Sequence, residues 1–177
     1  NQFTGVPTGF ANLDSMTSGF QNSDLIILGA RPSIGKTAMA LSMMQHISLD
    51  RKIPCGFFSL EMSTELIGMR ILAQESRVSM SKIRSGMIKI DEIQKIQDAA
   101  GRWFEAPLYI VDTPNMRLLE LRSMARRMVE KHGVKIIFID YIGLIATDNP
   151  TAPVFEQVSE ISKSLKALAR ELKIPIV

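Results

Sequence analysis

The chain has 177 residues, of which 46% are hydrophobic and 22% charged; this is enough for one globular domain with a full core and excludes a low-complexity or disordered chain. A formal net charge of +3 neither demands nor opposes a polyanionic partner, and the single cysteine, Cys55 in "CGFFSL", excludes an intrachain disulfide. No apolar run approaches the roughly 20 residues that span a bilayer, and residues 1–20 lack the basic-then-apolar order of a signal peptide. The expectation is therefore a cytoplasmic protein of a reducing compartment with no membrane association.

The first informative stretch is "DLIILGARPSIGKTAMALSMM", residues 24–44: an apolar run, a loop bearing glycine and proline, then a helical pattern. Ala30-x-x-x-x-Gly35-Lys36-Thr37 has the spacing of a phosphate-binding loop, with Ala30 where the usual pattern has glycine. Backbone N–H groups must close around a polyphosphate in such a loop, and a glycine at 35 permits that approach. Ala30, Arg31, Pro32, Ser33, Ile34, Gly35, Lys36 and Thr37 are accordingly the expected nucleotide-binding residues. Lys36 would act as a point charge on the β and γ phosphates, and the Thr37 hydroxyl as a Mg²⁺ ligand at a helix N-terminus.

Apolar runs recur at 25–28, 56–60, 108–111, 136–139 and 174–177, with segments between them that can supply helices. That alternation predicts an α/β fold with a parallel sheet. "DLIILG" and "KIIFID" are nearly continuous in apolar residues, as strands covered on both faces are, so both are expected to be central. Ligands of open parallel sheets gather at the carboxyl ends of the strands, where three acids stand: Glu61, Asp112 and Asp140. Asp140, after "IIFI", is in the setting of a carboxylate that holds Mg²⁺ beside a phosphate loop. Glu61, closing "GFFSLEM", either orients an attacking water or caps the following helix, where Ser63 and Thr64 are also available. Asp112, in "YIVDTPN", is expected to serve a turn.

Helical patterns fill the intervals. One starts at Asp91 and uses Ile93, Ile96, Ala100 and Trp103. A second, in "RLLELRSMARRMVEKHG", turns Leu118, Leu121, Ala125 and Met128 inward and Arg122, Arg126 and Arg127 to water, with Gly133 as its stop. After a loop at 146–154 comes a stripe of Val154, Val158, Ile161, Leu165, Leu168 and Leu172, backed by Lys163, Lys166, Arg170 and Lys173 on a solvated face.

"TGVPTGFANLDSMTSGF", "GARPSIGKTAMAL", "FFSLEMS", "VDTPNMRLLELRSMARRM", "IIFIDYIGLI" and "VSEISKSLKALARELKIPIV" follow one another in this order. With this succession the chain resembles, over essentially its whole length, the motor domain of bacterial replicative hexameric DNA helicases of the DnaB type. The resemblance implies a RecA-like P-loop NTPase core over residues 1–177, a mostly parallel central sheet flanked by helices. It implies hydrolysis of Mg-ATP that drives movement along single-stranded DNA and unwinding of duplex at the replication fork. Residues 30–37 would be the ATP loop, Lys36 and Glu61 the catalytic pair, and Thr37 and Asp140 the Mg²⁺ side. It also implies a homo-hexamer in the full-length protein, with primase and a helicase loader as partners. The chain would then be a fragment, without an N-terminal domain and linker and cut short before the arginine finger and a second DNA loop. Two positions depart from the pattern. Near 146–156, where a DNA-facing loop is implied, "TDNPTAPVFEQ" holds no Lys or Arg, which leaves backbone amides for any phosphate contact. Gly143, in "DYIGLI", stands where glutamine is common. Other RecA-like ATPases, a small-molecule kinase and a binding module without turnover share the loop; no basic lid of the kind a kinase needs is recognisable.

Overall fold

The computed structural model describes residues 4–31 and 35–177, so Pro32, Ser33 and Ile34 lie outside the described residues. In chain order the elements are α1 (Ala11–Thr17), α2 (Lys36–Met44) continuing into a π-helical turn (Gln45–Asp50), β1 (Cys55–Ser59), α3 (Thr64–Ser76), α4 (Met80–Ser85), α5 (Ile90–Glu105), β2 (Leu108–Val111), α6 (Leu118–His132), β3 (Ile136–Asp140), a 3₁₀ turn (Ile142–Leu144) and α7 (Val154–Leu172).

The strands pair in parallel in the order β2-β1-β3, with Cys55 opposite both Leu108 and Ile136, and Ser59 opposite Asp140. Parallel neighbours need crossovers, and helices supply them on both faces. Side chains alternate across the sheet as the two-residue period requires. Phe58, Ile137 and Ile139 pack into one core with Leu121, Met128, Leu165 and Leu168 of α6 and α7. Cys55, Phe57, Ile136 and Phe138 pack into another with Leu41, Met44 and Ile47 of α2 and its continuation and Ile67 and Ile71 of α3.

The ladder extends past β3 through single bridges. Val177 N–H donates to Ile137 O at 2.9 Å, and Ile26 N–H donates to Ile176 O at 2.8 Å. Residues 174–177 thus lie beside β3, and 24–28 lie beyond them. This corrects the expectation for "DLIILG": among the described residues it is the outermost row, joined by the Leu25–Ile176 bridge, and Ile27 is 59% exposed. Continuous apolarity records what can cover the two faces of a strand and carries no information on its neighbours along the sheet. "KIIFID" does occupy an inner position, between β1 and 174–177.

Two expected solvent faces also differ. Arg126 Nε donates to Glu171 at 2.9 Å, tying α6 to α7, and Arg122 Nε is buried. Lys166 Nζ donates to Ser23 O at 2.7 Å and so fastens α7 to the segment before 24–28. Val154, expected on the core side of α7, is exposed because the first turn of that helix runs past the core, which begins at Ile161. α5 starts at Ile90, and Trp103 lies against Gly68 of α3, where no side chain would fit.

Candidate nucleotide site

The parallel register brings the carboxyl ends of the strands to one edge, which is where the sequence puts its chemistry. α2 begins there with Gly35 as its N-cap at φ 92°, a left-handed angle. Among the described residues nothing stands within 4 Å of the position a Cβ would take, and the left-handed angle is what favours glycine here. No side chain among the described residues caps α2, and the free amides of a helix's first turn suit an anion.

Lys36 and Thr37, on the first turn of α2, meet Asp140 at the end of β3. Lys36 Nζ lies 3.2 Å from Asp140 Oδ1, and Thr37 Oγ1 donates to Oδ2 at 2.8 Å. The Lys36 ammonium also lies over the Tyr141 ring, 4.4 Å from its centroid. Asp140 is only 6% exposed, and a carboxylate buried that far is costly unless it is paired; Lys36 is the pair. The ion pair is close, yet Oδ1 accepts no well-directed hydrogen bond and keeps lone pairs open. A hydroxyl and a carboxylate with spare acceptor capacity form a hard oxygen donor set, which fits Mg²⁺. The structure therefore brings Lys36, Thr37 and Asp140 together as the sequence predicts, with Arg31 and Ala30 exposed on the approach.

Glu61 lies two residues beyond Ser59, whose register partner is Asp140, and it is exposed at the same edge. The alternative role open to it, capping α3, is filled by others. Ser63 is the N-cap and its hydroxyl accepts from Leu66 N–H at 3.3 Å. The Asp112 carboxylate accepts from Thr64 N–H at 2.8 Å and from its hydroxyl at 3.0 Å. Those two bonds hold the Asp112 carboxyl below the ordinary carboxylate range. Asp112 thus fastens the end of β2 to the start of α3, a longer-range role than the turn expected of it. The sequence reading missed the Tyr141 ring under Lys36; its one signal was position, immediately after Asp140.

Comparison with known proteins agrees with this geometry. Residues 5–177 match the family described as the DnaB-like helicase C-terminal domain. The chain belongs to this family. It is 53% identical over 177 residues to the replicative DNA helicase DnaB of Treponema pallidum (strain Nichols), covering 100% of this chain and 40% of that protein. It is 44% identical over 177 residues to the replicative DNA helicase DnaB of Geobacillus stearothermophilus, covering 99% of this chain and 39% of the relative. The chain thus spans about two fifths of the length of these curated relatives. Among solved structures, one described as an ATPase domain superposes with a TM-score of 0.94 at 30% identity, over 99% of this chain and 63% of that one. A DnaB-like replicative helicase, described with its interactions with primase, gives the same TM-score and identity over 99% of this chain and 43% of its own. The α/β architecture with a parallel sheet between helices is the fold of these DnaB-like ATPase domains. No helix among the described residues is long and apolar enough to cross a membrane.

Proposed function

We propose that this DnaB-like domain is a helicase motor that hydrolyses Mg-ATP, moves along single-stranded DNA and unwinds duplex at the replication fork. The observation that supports this most directly is the convergence of Lys36 and Thr37, on the first turn of α2, with Asp140 at the sheet edge. In this reading the loop amides and Lys36 bind the phosphates, and Thr37 and Asp140 hold Mg²⁺, which when bound neutralises phosphate charge. Glu61 orients a water in line with the γ-phosphate and takes its proton as the new P–O bond forms and the bond to ADP breaks. Phosphate chemistry of this kind is mostly positioning and charge stabilisation, which matches a site built on the rigid ends of strands and one helix.

The wider assignments rest on family membership. They are a homo-hexamer in the full-length protein, single-stranded DNA as the track, primase and a helicase loader as partners, and action in the cytoplasm. The residue range 1–177 is proposed as one RecA-like ATPase domain of that longer protein. The test is calorimetric titration of Mg²⁺ with a non-hydrolysable ATP analogue into this chain and its Lys36→Ala variant. Binding by the parent and loss of at least tenfold in the variant are expected. Equal binding by both would overturn the placement of nucleotide at this loop.

A further inference from the structure

Lys36 is held between a carboxylate and an aromatic ring. Its ammonium sits 3.2 Å from Asp140 Oδ1 on one side and 4.4 Å from the centre of the Tyr141 ring on the other. The ring reaches this position because residue 143 has no side chain: a Cβ on Gly143 would stand 2.9 Å from Tyr141 Cε2 and 3.2 Å from Cδ2. The ring thus lies back over the 3₁₀ turn that carries Gly143, with 39% of Tyr141 still exposed. An aromatic face attracts an ammonium placed this way by its quadrupole.

We propose that Tyr141 is a positioning residue that holds Lys36 against Asp140, and that Gly143 makes the room for it. The proposal rests on the nucleotide reading of the 30–37 loop and adds to it a lysine contact that competes with polyphosphate. A ligand that must first draw Lys36 off its perch binds with an affinity reduced by the stability of the parked state. Tyr141 need not touch the nucleotide to have this effect. An ammonium–aromatic contact at a partly exposed position corresponds to about two- to fivefold in that affinity.

The test has two arms on this chain. The first needs no nucleotide: the Lys36 ε-methylene proton resonances, read in a ¹H–¹³C spectrum, are displaced upfield by the ring current in the parent and in Tyr141→Phe. They return to the ordinary lysine position in Tyr141→Leu, and shift toward it in Gly143→Ala, whose Cβ moves the ring. Identical Lys36 resonances in the parent and Tyr141→Leu would overturn the perch. The second arm titrates Mg²⁺ with the non-hydrolysable ATP analogue. Tyr141→Leu binds about two- to fivefold tighter than the parent, Tyr141→Phe binds as the parent does, and the gain vanishes when Lys36 is already Ala. A ring-shifted lysine with equal affinity in the parent and Tyr141→Leu would overturn the competition with phosphate. A ring-shifted lysine in a chain that binds no analogue at saturating concentration would instead refute the nucleotide reading, and the competition with it.

Discussion

Replacing Gly68 with alanine sets helix propensity against packing. Gly68 lies in the interior of α3, where the exchange gains about 0.8–1.0 kcal/mol from propensity alone. A Cβ built there meets Cη2, Cζ3 and Cζ2 of Trp103 at 2.2, 2.6 and 3.1 Å. Carbon atoms pack best at about 3.5–4.0 Å, so the methyl group fits only if the indole or a helix moves. Neither is free to do so. α5, which carries the ring, is pinned by the ion pairs of Arg102 with Glu75 of α3 and with Asp50. Overpacking of this kind costs about 1–3 kcal/mol, and contact with a ring held between two helices belongs in the upper part of that range, leaving a net destabilisation of about 1–2 kcal/mol. Urea unfolding followed by far-ultraviolet circular dichroism should show a lower midpoint at unchanged slope. In a Trp103→Leu background the methyl group finds space, and the same exchange should stabilise by its propensity gain. A Gly68→Ala protein more stable than the parent, or an effect of one sign in both backgrounds, would refute the packing argument.

Glu61→Gln should leave affinity for the ATP analogue within twofold and lower kcat for hydrolysis by about 10²–10⁴-fold, measured by phosphate release from the full-length protein; unchanged turnover would remove Glu61 as the proposed base. Asp112 has its carboxyl held below the ordinary range by its bonds from Thr64, so its stabilising contribution is complete above the unfolded carboxylate pKa and is lost as pH falls through the lower folded value. Asp112→Asn should therefore flatten the acid limb of the stability–pH curve, and an unaltered limb would separate Asp112 from the α3 anchor. Cys55 is fully buried, and desolvation pushes its thiol well above the usual range, so a thiol reagent at pH 8 should modify it only at the rate of unfolding. Rapid modification of the native chain would contradict that burial.

What could be read in the sequence follows from how local each cause is. The pattern from Ala30 to Thr37 is written in consecutive residues, so the helix that starts at Lys36 and the left-handed Gly35 before it could be anticipated from spacing alone. Helix periodicity is equally local: 154–172 is α7 residue for residue, and Gly133 ends α6 in the left-handed conformation as expected. Asp140 could be placed at a strand end, but its bond to Thr37 joins residues 103 positions apart and depends on the crossover that α2 makes. The failures share this non-local origin. "DLIILG" was expected to be central because apolarity reports burial of faces, whereas its place in the sheet depends on pairing with residues 174–177. Lys166 and Arg126 belong to charged helix faces by period, and only tertiary neighbours give them Ser23 and Glu171 as partners.

The role of Glu61 shows how structure adds to such a reading without measuring chemistry. Spacing left it divided between helix cap and base. The structure gives the cap to Ser63 and the anchoring of Thr64 to Asp112, so the α3 N-terminus no longer needs a carboxylate from residue 61. Glu61 is exposed at the carboxyl edge of a parallel sheet, two residues beyond the register partner of Asp140 and without a capping duty, and so is available for the water-orienting role we propose for it. The same reasoning assigns Lys36 its rest position. A buried Asp140 needs a counter-charge, and Lys36, the lysine we propose to bind phosphate, supplies it. On the proposed reading, nucleotide binding exchanges one anionic partner of Lys36 for another, so affinity would depend on how firmly Asp140 and Tyr141 hold Lys36 as well as on how well the loop holds phosphate.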